Sequence, residues 1–299
     1  MELNSFVDYF RQKYGARLQK VVVDAGFTCP NRDGSKGLGG CSFCDNNAFH
    51  PNYCTPDKPL FQQIEEGIEF HKVRYRHAQR YIAYFQPYSN TYAPLERLKE
   101  LYETALSHPL IEGIVVGTRP DCIDEQKLDY LAELSQKSIV IIEYGIESCY
   151  DKTLERIGRG HNFECARRAV EKTAERGLTQ CGHFIFGLPG ESLKMMEDEA
   201  EIISSLPLTA VKFHQLQIIK GTRMEKEYLL HPDEFHYFTL SEYLDFISSF
   251  IRRLPSTLYI DRFASEVPPR YLSPLQKSWG LIRYQELLSM LRERMERAK

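Results

Sequence analysis

The order of apolar segments constrains the fold of this chain more than any other feature of its sequence. Short runs rich in β-branched residues alternate with longer amphipathic stretches, and this alternation predicts β-α units around a parallel sheet. Six strands are predicted at 19–24, 80–86, 113–118, 138–146, 180–187 and 210–219, with helices between them at about 59–77, 94–107, 124–136, 162–176 and 192–205. We therefore predict an α/β protein with a partial (β/α)6 TIM-like barrel, and a doubly wound sheet fits the same periodicity.

The pattern changes after about residue 220, where two helical stretches at about 240–253 and 273–297 flank a short strand at 257–261. We predict a core of residues 1–220 and a mainly helical C-terminal extension of residues 221–299, which is a candidate substrate-binding region. The end of this extension is basic, because residues 252–299 contain ten Lys and Arg against five Asp and Glu.

Length and composition favour an ordinary globular protein. A chain of 299 residues is long enough for a large domain of barrel type. Residues 1–20 lack the apolar centre of a signal peptide, and no stretch reaches the about 20 apolar residues of a membrane span. We expect a cytoplasmic protein without membrane contact, in which the eight cysteines are more suited to metal or cluster binding than to disulfides.

A glycine-rich loop after the first predicted strand contains three cysteines. Cys29, Cys41 and Cys44 have the spacing C-x11-C-x2-C, and five glycines between residues 26 and 40 allow the backbone to approach a bulky ligand. A [4Fe-4S] cluster normally takes four thiolates, so three on one loop leave one iron open to another ligand.

Cys54 permits an alternative, a zinc site with the spacing C-x11-C-x2-C-x9-C. Structural zinc sites more often contain two close-spaced pairs of cysteines, whereas this segment contains one pair. Simple burial of the cysteines is less consistent with the polar residues of the segment 30–36. The sequence does not decide whether Cys54 is an auxiliary ligand or a packing residue. It favours ordinary packing for four other cysteines, Cys122, Cys149, Cys165 and Cys181.

The segment from Gly26 to Cys44 resembles the cysteine loop of the radical S-adenosylmethionine (SAM) superfamily. More narrowly, its long first spacing resembles that of the bacterial YhcC/YtqA-type proteins, which are related to the radical SAM domain of the Elongator catalytic subunit. The resemblance implies a [4Fe-4S] cluster on Cys29, Cys41 and Cys44, SAM on the open iron, and an electron donor such as flavodoxin or ferredoxin. It also implies that Phe43 lies near the SAM adenine, although Phe43 could simply cover the cluster from water.

Further segments after predicted strands resemble superfamily motifs. The segment 84–91 stands where the superfamily binds the SAM amino group, which implies roles for Gln86 and Asn90. Thr118-Arg-Pro-Asp121 resembles the TRPD element of the Elongator-like group and implies a contact between Thr118 and the amino acid part of SAM. Gly117 stands where related enzymes often have Glu.

The remaining motifs imply contacts with the ribose and carboxylate of SAM. Tyr144-Gly-Ile-Glu-Ser148 resembles a segment whose acidic residue holds the ribose hydroxyls, here Glu147. Ile157-Gly-Arg-Gly-His161 matches the position of an Arg that meets the SAM carboxylate, here Arg159. The segment 182–191 matches the fifth-strand motif, in which His183 is a candidate ribose contact and equally a structural histidine.

The resemblance implies a radical SAM enzyme that reductively cleaves SAM at a [4Fe-4S] cluster to generate a 5′-deoxyadenosyl radical. It also implies tRNA as the substrate, with the C5 side chain of a wobble uridine as the target. The basic C-terminal tail and the segment 70–81, which interleaves cations with Tyr75 and Tyr81, are typical of RNA-binding surfaces and equally of solvated helices. The alternatives are a small metabolite or tetrapyrrole as substrate, or a non-catalytic zinc or Fe-S binding module. The sequence identifies no catalytic side chain.

Overall fold

A single parallel sheet organises the chain. The computed structural model describes residues 3–48, 51–74, 80–265, 267–276, 279–280 and 282–297. Within these residues seven strands pair in chain order, each parallel to the next. The strands are β1 (Gln19–Val23), β2 (Tyr81–Phe85), β3 (Ile111–Thr118), β4 (Ile139–Glu147), β5 (Thr179–Phe186), β6 (Ala210–Gln215) and β7 (Tyr259–Arg262). A doubly wound sheet reverses its strand order, so the in-order sheet confirms the partial TIM-like barrel.

The seventh strand comes from the C-terminal extension. The sequence predicts a short strand at 257–261, and the structure adds it to the same sheet as β7, with Tyr259 opposite Ala210 of β6. The half-barrel therefore contains one more strand than its six predicted β-α units.

Helices pack around the sheet. Within the described ranges they are α1 (Phe6–Tyr14), α2 (Leu60–Arg74), α3 (Leu95–Leu106), α4 (Glu125–Ser135), α5 (Asp151–Arg156), α6 (Phe163–Glu175), α7 (Leu193–Ser204), α8 (Arg223–Leu230), α9 (Leu240–Arg253) and α10 (Tyr284–Arg297). The sequence missed α1, α5 and α8, since helices of six to nine residues contain too little periodicity. None of the described helices is long and apolar enough to span a bilayer.

The two faces of the sheet differ in what they bury. Alternate strand residues point to opposite faces. The helix-facing set forms the main apolar core, in which Phe186 of β5 packs edge-on against Phe246 and Phe250 of α9, with ring centroids 4.9 Å apart in both pairs. The C-terminal extension thus shares its core with the half-barrel.

The concave face begins with an apolar floor. Phe6 and Phe10 of α1 pack against Ile82, Val115 and Ile141, and the hydroxyl of Tyr9 in the same helix lies 2.8 Å from Oγ1 of Thr179, the first residue of β5. Helix α1 therefore covers the amino end of the half-barrel. The opposite, carboxyl end carries the loops that contain the predicted motifs, as expected for parallel β/α folds.

Candidate active site

The cysteine loop after β1 is tied to the segment that follows β4. The Ser42 amide donates a hydrogen bond to the Ile157 carbonyl at 2.8 Å. The Asn31 side chain donates from Nδ2 to the Gly158 carbonyl at 2.7 Å and to the Arg159 carbonyl at 3.1 Å. Two motifs that lie far apart in the sequence are therefore parts of one site.

Two donors approach the sulfur of Cys41. Asn31 Nδ2 lies 3.3 Å from Cys41 Sγ, and Arg159 Nη1 lies 3.5 Å from the same atom. Cys41 is buried, as are both of its donors. Donors aimed at a sulfur stabilise a thiolate, which is the form that binds iron.

The other two loop cysteines also have an arginine each. Arg119 Nη1 lies 3.9 Å from Cys29 Sγ, and Arg32 Nη2 lies 3.6 Å from Cys44 Sγ. Burial raises the pKa of the Cys44 thiol, the neighbouring Cys41 raises it further, and Arg32 opposes both. Three thiols on one loop, each with its own cation, have the donor chemistry that a [4Fe-4S] cluster requires.

Cys54 lies apart from these three cysteines. It is fully buried, and burial followed by the nearby Asp24 raises its pKa to about 12, while Lys58 opposes the shift. The structure gives it no interaction with the other three thiols. Across the described ranges, no three Cys, His, Asp or Glu side chains gather tightly enough to hold a single metal ion, and this applies to Cys29, Cys41 and Cys44 as well as to Cys54. The four-thiolate zinc alternative therefore has no support in the placement of Cys54.

Arg159 connects the cysteine loop to the end of β4. Its Nη2 donates to the Gly145 carbonyl at 2.5 Å and lies 3.4 Å from Glu147 Oε1. Burial alone would lower the pKa of Arg159, but Cys41 and Glu147 outweigh it and raise that pKa above its usual range. Among the described residues its Nε has no partner. Arg159 is therefore a buried cation with one donor left for a ligand.

Close packing at this point requires glycine. A Cβ on Gly145 would lie 2.5 Å from Glu147 Oε1 and 2.6 Å from Arg159 Nη2. On Gly160 it would lie 2.7 Å from Asn31 Oδ1. These two glycines let the cysteine loop, Arg159 and Glu147 meet.

The backbone of Glu147 is strained. Its φ is +75°, in the left-handed region that a residue with a side chain rarely adopts. The β4–β5 pairing also shifts its register between Gly145 and Glu147. Bulges and positive φ values re-aim side chains next to functional sites, and here they accompany a carboxylate that faces Arg159.

Thr118 and Asn90 hold neighbouring strand ends together. The hydroxyl oxygens of Thr118 and Thr91 are 2.6 Å apart, and both residues are buried. Asn90 Nδ2 donates to the Gly117 carbonyl at 2.8 Å, whereas its buried Oδ1 has no partner within the described chain. Gln86 is half-buried directly after β2. Asn90 Oδ1 is thus an acceptor available to a ligand.

Phe43 contacts an apolar cluster at the carboxyl ends of the later strands. The buried residues of that cluster are Leu154, Ile157, Ile185, Leu188, Ile218, Met224 and Phe235. Ile185 belongs to the predicted fifth-strand motif. The structure therefore brings Phe43 together with the segment 182–191, as an adenine site formed by both would require.

His183 points into a charged layer on the concave face. Its Nε2 lies 2.7 Å from Glu143 Oε2, and its Nδ1 has no partner in the described residues. Burial and the nearby Lys212 lower the pKa of His183, so the ring is neutral at pH 7. The adjacent ring of His214 lies 5.8 Å away, centroid to centroid.

Sequence reasoning missed the rest of this charged layer. Glu143 also accepts hydrogen bonds from Lys20 Nζ at 2.6 Å, Lys212 Nζ at 2.8 Å and Tyr84 Oη at 2.7 Å. Asp261 of β7 completes the layer, 2.8 Å from Lys20 Nζ. Charged residues inside otherwise β-branched runs, such as Lys20 in Gln-Lys-Val-Val-Val, were the available signal.

The predicted RNA-binding surface is only partly available. Tyr81 is buried in β2, so its ring is not exposed for stacking on a base. Lys72 pairs with Glu69 at 2.6 Å, and Arg80 pairs with Glu112. Residues 75–79 lie outside the described residues.

The basic C-terminal tail is likewise paired in part. Arg294 pairs with Asp245, and Arg297 lies 3.8 Å from Glu293. Arg283 and Arg292 are exposed, and residues 298–299 are outside the described part of the chain.

Comparison with known proteins places this site in a family. The sequence family described as the Radical SAM superfamily matches residues 29–203, and the Radical SAM C-terminal domain matches residues 208–297. Protein YhcC of Escherichia coli K12 is 34% identical over 281 residues, which cover 92% of this chain and 89% of YhcC.

Two further matches are more distant. A tRNA uridine(34) acetyltransferase of Methanocaldococcus infernus is 25% identical over 177 residues, covering 58% of this chain and 32% of that protein. The solved structure of Elp3 from the same archaeon, with an N-terminal deletion, superposes with a TM-score of 0.68 at 18% identity. That match covers 94% of this chain and 63% of the Elp3 chain, and it shows a shared fold.

The family match covers more than half of the chain and includes all three loop cysteines, Cys29, Cys41 and Cys44. YhcC matches over nearly its full length. The chain therefore belongs to the radical SAM superfamily, within its YhcC-type subgroup related to Elongator, and is a radical SAM enzyme.

Proposed function

We propose that Cys29, Cys41 and Cys44 hold a [4Fe-4S] cluster at which SAM is cleaved reductively. The observation that supports this most is the cation placed at each of the three sulfurs, while Cys54 has none of these contacts. When bound, the cluster passes one electron to SAM, which gives methionine and a 5′-deoxyadenosyl radical. A cytoplasmic flavodoxin or ferredoxin is the class of protein that supplies this electron.

Arg159, Glu147 and Phe43 are the proposed contacts for the two ends of SAM. Arg159 has an unpaired Nε and a guanidinium suited to a carboxylate. Glu147 is held toward Arg159 by its strained backbone and can accept two hydrogen bonds from a ribose. Phe43 lies against apolar residues of the β5 and β6 ends, a surface suited to a flat purine.

The remaining proposed contacts lie on neighbouring strand ends. Asn90 Oδ1 is a buried acceptor that suits the SAM amino group, and Thr118 at the end of β3 and Gln86 directly after β2 are the other proposed contacts with the amino acid part of SAM. His183 Nδ1 faces the concave side and can accept a hydrogen bond from a ribose hydroxyl, because Nε2 is engaged by Glu143.

Anaerobic reconstitution with iron and sulfide tests the cluster and the cleavage together. We expect Cys41→Ala to lose the cluster absorbance and all formation of 5′-deoxyadenosine from SAM and dithionite. The matched variant Cys54→Ala should keep both, since Cys54 contacts none of the three loop thiols. Wild-type protein that binds the cluster and SAM but forms no 5′-deoxyadenosine would overturn the proposed reaction.

We propose tRNA as the substrate, with the C5 side chain of a wobble uridine as the target and with residues 221–299 contributing to binding. The support is the distant similarity to a tRNA uridine(34) acetyltransferase. Modified nucleosides in tRNA from cells with and without the gene provide the test. We expect one wobble-uridine derivative to disappear without the gene, and unchanged nucleosides would contradict an RNA substrate.

A small metabolite or tetrapyrrole is the second candidate. It is favoured by the pairing of Lys72, Arg80 and Arg294 with carboxylates, which reduces the positive charge available for phosphates. Under this alternative, RNA neither co-purifies with the protein nor binds to it with the steep salt dependence of phosphate contacts.

A further inference from the structure

We infer that Arg32, Arg119 and Arg159 form a cationic collar that raises the reduction potential of the cluster. This inference rests on the proposed cluster and goes beyond it, because it assigns a role to Arg32 and to the Arg119-Pro-Asp121 segment. Each collar arginine contacts a different loop cysteine, at 3.6, 3.9 and 3.5 Å respectively. The three arginines are thus distributed over the three cysteine sulfurs of the loop, with one arginine at each sulfur.

Arg119 is fixed by a bidentate ion pair. Its Nε and Nη2 each lie 2.9 Å from an oxygen of Asp121, and Nη2 also donates to the Arg159 carbonyl at 2.6 Å. Arg119 is 2% exposed. The guanidinium cannot swing into solvent, so the Asp121 contact holds Nη1 toward Cys29.

Arg32 is fixed in a different way. Its Nη2 donates to the Cys44 carbonyl at 3.1 Å, and its guanidinium carbon lies 5.7 Å from the ring centre of Tyr88. A Cβ on Gly40 would lie 3.0 Å from Arg32 Nε, so the glycine makes room for the cation. Tyr88 itself has a positive φ of 65°. The loop is thus arranged to hold Arg32 over Cys44.

The charges around the loop do not cancel. Lys36 Nζ lies 2.5 Å from Oδ2 of Asp121, the carboxylate that also binds Arg119. Glu147 Oε1 lies 3.4 Å from Arg159 Nη2. Among these contacting side chains, four cations stand against two carboxylates. A cluster gains one negative charge when it is reduced, so excess positive charge and donors at its sulfurs favour the reduced form.

The collar can be tested at Arg32, the least buried of its three members. The reconstituted full chain is titrated electrochemically under argon, and the reduced cluster is followed by electron paramagnetic resonance. We compare Arg32→Gln, Arg32→Lys and the matched surface control Arg168→Gln, whose partner Glu164 lies on the same helix.

Loss of one charge-assisted hydrogen bond to a sulfur should reduce the equilibrium constant for cluster reduction about tenfold. For a one-electron couple this is a fall of about 59 mV in the midpoint potential. We expect this fall in Arg32→Gln, a potential close to wild type in Arg32→Lys, and no change in Arg168→Gln.

Each outcome decides the inference. A normally loaded Arg32→Gln protein with the wild-type potential overturns it. If Arg32→Gln loses the cluster, retention of the cluster and the wild-type potential by Arg32→Lys supports a role for the charge, whereas loss of the cluster by both variants overturns it. Failure of the wild-type chain to bind a [4Fe-4S] cluster would instead overturn the proposed function.

Discussion

Glu143 and Glu191 are both buried glutamates of the same half-barrel, yet their surroundings shift their pKa values in opposite directions. Burial alone would raise the pKa of Glu143, but Lys20 and Lys212 outweigh it and hold that pKa well below its usual range. Within the described part of the chain, no cation lowers the pKa of Glu191 in this way. Its Oε1 accepts a hydrogen bond from Ser148 Oγ at 2.5 Å, and burial raises its pKa to about 7.

The difference lies in the side chains that neighbouring strands supply. On the concave face, two lysines stand against Glu143 and Asp261, so the charged layer is balanced and stays ionised at neutral pH. On the other side of the sheet, Glu191 lies near Glu199, whose pKa is also raised, by burial and then by Glu191. At neutral pH the side chains of the concave layer are ionised, whereas Glu191 and Glu199 together retain a proton.

Removing the charge of Glu143 should have the largest effect. Glu143→Gln leaves the half-buried Lys20 and the buried Lys212 with Asp261 as their remaining carboxylate, and breaking a buried ion pair costs about 3–5 kcal/mol. Urea denaturation of the metal-free protein measures the loss in free energy of unfolding. The control Glu96→Gln breaks an exposed pair with Lys99 and should cost much less, because solvent screens this pair. Equal losses in the two variants would show that the charged layer contributes no more than a surface pair.

Glu191 should make stability fall as pH rises. Its pKa is raised from 4.5 to about 7 on folding, so its contribution is complete below pH 4.5 and is lost as pH increases through 7. Between pH 5 and 8 this loss amounts to about 2.5 kcal/mol. We expect Glu191→Gln to remove that part of the decline, measured by urea denaturation at several pH values. A variant as pH-dependent as wild type would place the proton elsewhere, for example on Glu199.

Features of the fold and of the site were predictable where they depend on residues that are close in the sequence. The strands were predictable because β-branched runs are local, and the cysteine loop because its spacing is contiguous. The pairing of Glu143 and Asp261 with Lys20 and Lys212 depends on the register of four strands, which no local pattern encodes. Tyr81 shows the limit of a local pattern. An aromatic residue among cations is typical of an exposed surface, whereas Tyr81 is buried in β2.

The predicted motifs were similarly incomplete in what they implied. The TRPD segment was identified through Thr118, yet in the structure Thr118 bonds to Thr91, whereas the neighbouring Arg119 approaches Cys29. A motif therefore locates a segment more reliably than it assigns a role to each of its side chains. The direction of a side chain depends on contacts such as Asp121 with Arg119, which require the folded chain.

The smallest loss of stability is expected from removing one buried tyrosine hydroxyl on either side of the sheet. Tyr84 donates to ionised Glu143 at 2.7 Å, whereas Tyr144 shares a hydrogen bond of 2.8 Å with the neutral Thr173 hydroxyl. Hydrogen bonds to charged groups contribute about 1.5–3 kcal/mol, and neutral ones about 1 kcal/mol. We therefore expect Tyr84→Phe to lose about 2 kcal/mol of unfolding free energy at pH 7 and Tyr144→Phe about 1 kcal/mol. Because both tyrosines are buried and each substitution removes only a hydroxyl, equal losses would mean that Glu143 does not carry its charge.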